Sequence, residues 1–150
     1  MQRVIIIHHL EDCWSSGYAN HCTSFHEQAE LVRQHLEENE YDLVILTRFE
    51  DHRIGIEHDE AELTEHIDTV HTYAYGWEKE MIEQGCFSDD QEWVDGGTHS
   101  EIVLIDNWMH ELRGCKVDLC GAFDGECIED MEIALAGAKV PFNRLNHLIV

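Results

Sequence analysis

The stretch whose reading decides the fold is Lys116-Val-Asp-Leu-Cys-Gly-Ala-Phe-Asp-Gly-Glu-Cys-Ile128, running into Glu129-Asp-Met-Glu-Ile-Ala-Leu-Ala-Gly137. A short apolar run reaches Cys120-Gly121 and has the length of a buried strand. Gly121 to Glu126 is a tight polar turn. Cys127 then opens an amphipathic helix that stops at Gly137, where a residue without Cβ suits the helix end. A thiol in this position sits where backbone N–H groups and the helix dipole favour a thiolate. That is a common way to place a cysteine nucleophile.

Working outward, the rest of the chain alternates in the same manner. Val4–His8 is a continuous apolar strand that ends in polar residues. Glu11–Thr23 reads as a long loop. Ser24–Asn39 is helical, because Phe25, Ala29, Val32 and Leu36 recur near the 3.6 period. Ser24 and Glu27 have the spacing of a capping box. Tyr41–Thr47 is a second buried strand. Glu50–Glu65 is acidic and contains histidines, Thr64–Tyr73 suits a short helix or a strand, and Gly76–Gly85 suits a helix. Phe87–Thr98 reads as loop, with Gly96-Gly97 as breakers. Ser100–Leu112 is predicted helical on the wide apolar face of Ile102, Leu104, Ile105, Trp108, Met109 and Leu112. A last strand is expected from Val140 onward.

Strands that are apolar on both faces and alternate with helices imply a sheet covered on both sides. The expected fold is therefore α/β: a single three-layer α/β/α domain over residues 1–150 with a mainly parallel sheet. Ligands of such sheets bind at the C-terminal strand ends. His8, His9, Glu11 and Asp12 lie at one such end, Arg48, Asp51 and His52 at another, and Asp124 to Cys127 at a third.

Composition narrows the function classes. The chain has 150 residues, 32 acidic against 9 basic, and a formal charge of −23. Such a surface repels phosphate backbones and anionic membranes, which argues against nucleic-acid and membrane partners. No apolar run approaches the roughly 20 residues needed to span a bilayer. The N-terminal run is too short for a signal peptide and lacks its cleavage region. A cytoplasmic location is expected, with the 6 cysteines mostly as free thiols. No CxxC pair is present, which argues against a zinc ribbon or a thioredoxin-type site.

Gly121-Ala-Phe-Asp-Gly-Glu-Cys127-Ile128 resembles the nucleophile segment of the isochorismatase-like cysteine hydrolases, which include nicotinamidases. The family pattern is a strand, Gly-Val-x-Thr-x-x-Cys-Val, then a helix with an Ala-rich face ending in Gly. Ile133-Ala-Leu-Ala-Gly137 followed by Lys139-Val140 looks like the family's helix-to-strand exit. Thr98-His99-Ser100 leading into a helix looks like the family's helix before the nucleophile strand. Val4–His8 followed by Glu11-Asp12 resembles its first strand and acidic loop.

The resemblance implies attack by the Cys127 thiolate on an amide or related carbon of a small metabolite. It places a cis peptide at Ala122–Phe123, beside an oxyanion hole of backbone N–H groups. It also implies a homo-oligomer, since family members often assemble.

The departures bear on mechanism. By spacing, His8 stands where the family has its general-base aspartate, and Asp12 is the nearest carboxylate downstream. The family's lysine has no match, so His99 or Arg48 would supply the positive charge. The family threonine is replaced by Asp124, whose carboxylate opposes formation of a nearby thiolate. Catalytic candidates are therefore Cys127, Asp12 and His8, with His9, Arg48, His99, Asp124 and Phe123 as substrate-binding candidates.

No cofactor is expected. His8, His9, Cys13, His21, Cys22 and His26, and then Asp51, His52 and His58, have the residue types of a divalent-metal site but no recognisable ligand register. Ile7-His8-His9 and Asp51-His52-Arg53 faintly resemble metal phosphoesterases, whose fixed aspartate motifs are incomplete here. A non-enzymatic rival keeps the fold and loses the chemistry. It is a pseudoenzyme that binds a ligand in the old pocket or acts as an oligomeric scaffold.

Overall fold

The computed structural model describes residues 1–8, 22–49, 63, 65–73, 92–100 and 102–149. The elements in chain order are β1 (Arg3–His8), α1 (Cys22–Glu38), β2 (Leu43–Phe49), β3 (Thr69–Tyr73), β4 (Glu92–Asp95), β5 (Ile102–Ile105), α2 (Asn107–His110), β6 (Lys116–Gly121), α3 (Cys127–Gly137) and β7 (Phe142–Ile149). Among the described residues, no helix is long and apolar enough to cross a membrane.

Five strands form one sheet in the order β3-β2-β1-β6-β7, and each neighbouring pair is parallel. The central strand explains itself. Val4, Ile5, Ile6 and Ile7 are all fully buried, so both faces of β1 are covered, as a parallel sheet requires. Alternation divides them. Val4 and Ile6 join Val117, Leu119, Ile128, Met131 and Leu135 in one core cluster. Ile5 and Ile7 join Ala29, Val32, Leu36 and Leu46 in the other. α1 therefore covers one face and α3 the other. Right-handed crossovers give the reason: β1 to β2 and β6 to β7 step in opposite directions along the sheet, so their helices fall on opposite faces.

The strand order reverses between β1 and β6. In parallel sheets the C-terminal strand ends at such a reversal are where ligands bind. His8 and Gly121 are register partners there. Gly121 has φ +122, and a Cβ on it would lie 2.0 Å from the His8 carbonyl oxygen. Only glycine lets the two strands approach this closely at their C-terminal ends.

Two expectations are corrected. Ile102–Ile105 lies in the segment predicted helical from Ser100, yet it is a strand, paired antiparallel with Glu92–Asp95. Glu92–Asp95 in turn lies within the predicted loop. Four consecutive apolar residues, two of them isoleucine and one valine, satisfy a fully buried strand as well as a helix face. The available partner strand, with half-buried Trp93 and Val94, decides between them. Helix survives only as α2, a single turn over Asn107–His110. Gly96 and Gly97 fall in the connection between the paired strands. The β4–β5 hairpin packs on α3, with Val103 and Ile105 in the core cluster that α3 shares. The family-like helix before the nucleophile strand is thus replaced by this hairpin.

The other boundaries hold closely. α1 starts at Cys22, so Ser24 lies inside the helix and not at its cap. Thr64–Tyr73 resolves to a strand over Thr69–Tyr73. Glu11–His21 and Gly76–Gly85 lie outside the described residues.

Candidate functional site

Cys127 is the first residue of α3, and the turn that delivers it is tied down from within. The Ala122 N–H donates to the His8 carbonyl at 2.8 Å, which anchors the turn to β1. The peptide between Ala122 and Phe123 is cis, at the position where the sequence resemblance puts one. The Phe123 carbonyl accepts the N–H of Glu126 at 3.1 Å and that of Ile128 at 3.0 Å. Two of the N–H groups flanking the cysteine are therefore already engaged. Cys127 is 5% exposed.

One histidine within reach of the thiol comes from the connection between β4 and β5. Cys127 Sγ and His99 Nε2 lie 3.8 Å apart, within reach of a hydrogen bond to sulfur. His99 itself is exposed. Asp130, one helical turn on from Cys127, has a buried carboxylate that accepts from Ser100 Oγ at 2.7 Å. Burial raises the Asp130 pKa, while the Ser100 hydrogen bond and the charge of His99 lower it in part. Cysteine, imidazole and carboxylate therefore converge at the start of α3.

His8 is the last residue of β1. It is fully buried, and its Nδ1 is 2.5 Å from Thr47 Oγ1 on the neighbouring strand. Desolvation holds its pKa near 3, offset slightly by a hydrogen bond with the Cys127 backbone. The ring is thus neutral over the physiological range. It touches the Cys127 main chain and braces it against β2. The Thr47 hydroxyl completes that brace. It is not among the sequence candidates, although its place on β2 as the register partner of His8 is a signal once the register is known.

Asp124 is exposed and sits 2.5 Å from Arg144 of β7. Arg144 also pairs with Glu132 at 2.8 Å. The pairing offsets the charge that was expected to oppose the thiolate. Phe123 is half-buried and packs against both core clusters. The backbone of Arg48 belongs to β2, where its register partner on β3 is Thr72. His9 and Asp12 lie outside the described residues, as do His21, Asp51, His52 and His58. Among the described residues no group of three or more His, Cys, Asp or Glu side chains is arranged to hold a metal ion.

The structure therefore brings together Cys127, His99 and His8 from the sequence candidates, and adds Asp130, Ser100 and Thr47. No family model matches the chain, and no curated protein or solved structure matches it.

Proposed function

We propose that this chain is an isochorismatase-like cysteine hydrolase of altered mechanism, acting on a small amide- or carbonyl-containing metabolite through Cys127. The observation that carries the reading is the Cys127–His99 pair, 3.8 Å apart at the switch point of a parallel sheet. A cysteine with a basic side chain in hydrogen-bond reach is the arrangement that activates a thiol.

In this reading the Cys127 thiol passes its proton to His99, and Sγ forms a bond to the substrate carbonyl carbon. The tetrahedral intermediate collapses as the C–N bond breaks. The amine leaves with the proton that His99 returns. Water then adds to the thioester, giving up a proton to His99, and the carboxylic acid departs as Sγ takes the proton back. His8 is too weak a base near neutrality, with a pKa of about 3, to collect the thiol proton. Its part is to hold the cysteine turn. His99 takes the role that the family assigns to charged side chains elsewhere.

The test is a screen of amides, including nicotinamide-like and pterin-like compounds, against wild type, Cys127→Ala and His99→Ala. Hydrolysis that Cys127→Ala abolishes and His99→Ala lowers by about 10²-fold or more supports the reading. Turnover untouched by Cys127→Ala overturns it.

The 5% exposure of Cys127 favours a second reading, a ligand-binding or oligomeric scaffold of the same fold. Inertness of Cys127 to a mild electrophile at neutral pH, while the other thiols react, would support that reading.

A further inference from the structure

His99 owes its place to residues on either side of it. The connection that carries it follows β4 and includes Gly96 to Ser100. Nothing inside so short a glycine-containing segment selects one conformation. Attachments to two residues of the first turn of α3 do so.

On one side, the Thr98 N–H donates to Glu129 Oε1 at 2.7 Å. The Thr98 hydroxyl reaches the same carboxylate, at 3.1 Å from Oε1 and 3.2 Å from Oε2. On the other side, Ser100 Oγ donates to Asp130 Oδ2 at 2.7 Å. Gly97 completes the fit, because a Cβ there would lie 1.8 Å from Glu129 Oε1. Glu129 and Asp130 follow Cys127 by two and three positions on the same helix. A helix fixes the relation between such neighbours, so the groups that seat the turn are rigidly referenced to the thiol.

We propose that Glu129 and Asp130 are positioning residues, which clamp the 97–100 turn onto α3 so that the His99 ring faces the Cys127 thiol. The inference rests on the Cys127–His99 reading above and adds the device that creates the pair. It explains why an exposed histidine on a connection can serve a buried cysteine. The clamp needs both attachments, Thr98 to Glu129 and Ser100 to Asp130, since with one alone the turn can pivot about it.

The experiment follows alkylation of Cys127 by iodoacetamide from pH 5 to 9, read on the Cys127 peptide by mass spectrometry. Wild type is compared with His99→Ala, Glu129→Ala, Ser100→Ala and the two double variants that add His99→Ala. Amide hydrogen exchange at Thr98 is measured in parallel. The clamp predicts a slowly exchanging Thr98 amide that Glu129→Ala exposes. It predicts that Glu129→Ala and Ser100→Ala each move the pH midpoint toward that of His99→Ala by about half a unit or more. Neither adds to His99→Ala, because both act through His99. Glu129→Gln and Ser100→Thr, which keep an acceptor and a hydroxyl, retain the wild-type profile.

If Glu129→Ala does not fold, Thr98→Val removes the hydroxyl bond alone and takes its place. A midpoint that moves in His99→Ala but in neither clamp variant overturns the clamp and leaves the pair standing. A midpoint unmoved by His99→Ala overturns the pair, and a fast-exchanging Thr98 amide in wild type overturns the clamp directly.

Discussion

His8 shows how one buried side chain makes the protein sensitive to acid. Its pKa is near 6.5 in an open chain and about 3 in the fold, because burial penalises the cation. Between those values the unfolded chain binds a proton that the native state refuses. Stability therefore falls as pH drops from about 6.5 toward 3, by on the order of 5 kcal/mol over the whole window. His35 and His71, whose pKa values burial also lowers, act with the same sign. Asp130 acts with the opposite sign, since its raised pKa makes the native state the better proton binder in acid. Urea midpoints for wild type and His8→Gln should converge as pH falls from 7.5 to 5, with the variant showing the flatter profile. Gly121 offers a second check. Its left-handed φ and the 2.0 Å approach to the His8 carbonyl leave no room for a Cβ. Gly121→Ala should cost more than about 2 kcal/mol in denaturant unfolding, by strain and by parting β1 from β6.

The elements are held by two different kinds of contact. α3 is fixed by apolar burial: Ile128, Met131, Ala134 and Leu135 are all fully buried against the sheet and hairpin. Met131→Ala should lower stability by about 2–5 kcal/mol, through lost transfer energy and the cavity left behind. α1 adds a polar tie to its apolar face. His35 Nε2 is 2.8 Å from the Tyr41 hydroxyl, which donates to Asp118 Oδ2 at 2.7 Å. Asn143 Nδ2 donates to the other Asp118 oxygen at 3.2 Å. The chain joins α1, β6 and β7 through one carboxylate that is 5% exposed as a residue. Tyr41→Phe keeps the ring and removes the donor, so thermal or urea unfolding should register a loss of about 1–3 kcal/mol. The hairpin was the element least legible beforehand. Ile102-Val-Leu-Ile105 is apolar at every position, and a run without alternation does not distinguish a buried strand from a buried helix. The pairing partner 92–95 settles the matter, and that partner carries only two apolar residues of its own.

For the molecule as a whole, charge is the dominant global term. With 32 acidic and 9 basic residues, most carboxylates have no cation to meet. Arg144 serves both Asp124 and Glu132, and Arg33 serves both Glu30 and Glu37. Repulsion among the remainder opposes the compact state and is screened by salt. Raising ionic strength from about 0.02 to 0.3 M should increase the melting temperature by a few degrees, about 1 kcal/mol at this chain length. A melting temperature that falls with added sodium chloride would contradict this account.

The sequence by itself determined the parallel α/β sheet and the strand–turn–helix unit that puts Cys127 at the C-terminal strand edge. Those follow from local rules: continuous apolar runs, helical periodicity and glycine at the turn. Tertiary structure decided which side chain meets the thiol. His8 was the candidate by position, yet desolvation at the sheet's centre removes its basicity. His99 stands 28 positions from Cys127 and reaches it only because Glu129 and Asp130 seat the hairpin turn on α3. Spacing along a chain carries no record of such a contact; burial and the packing of a separate element create it.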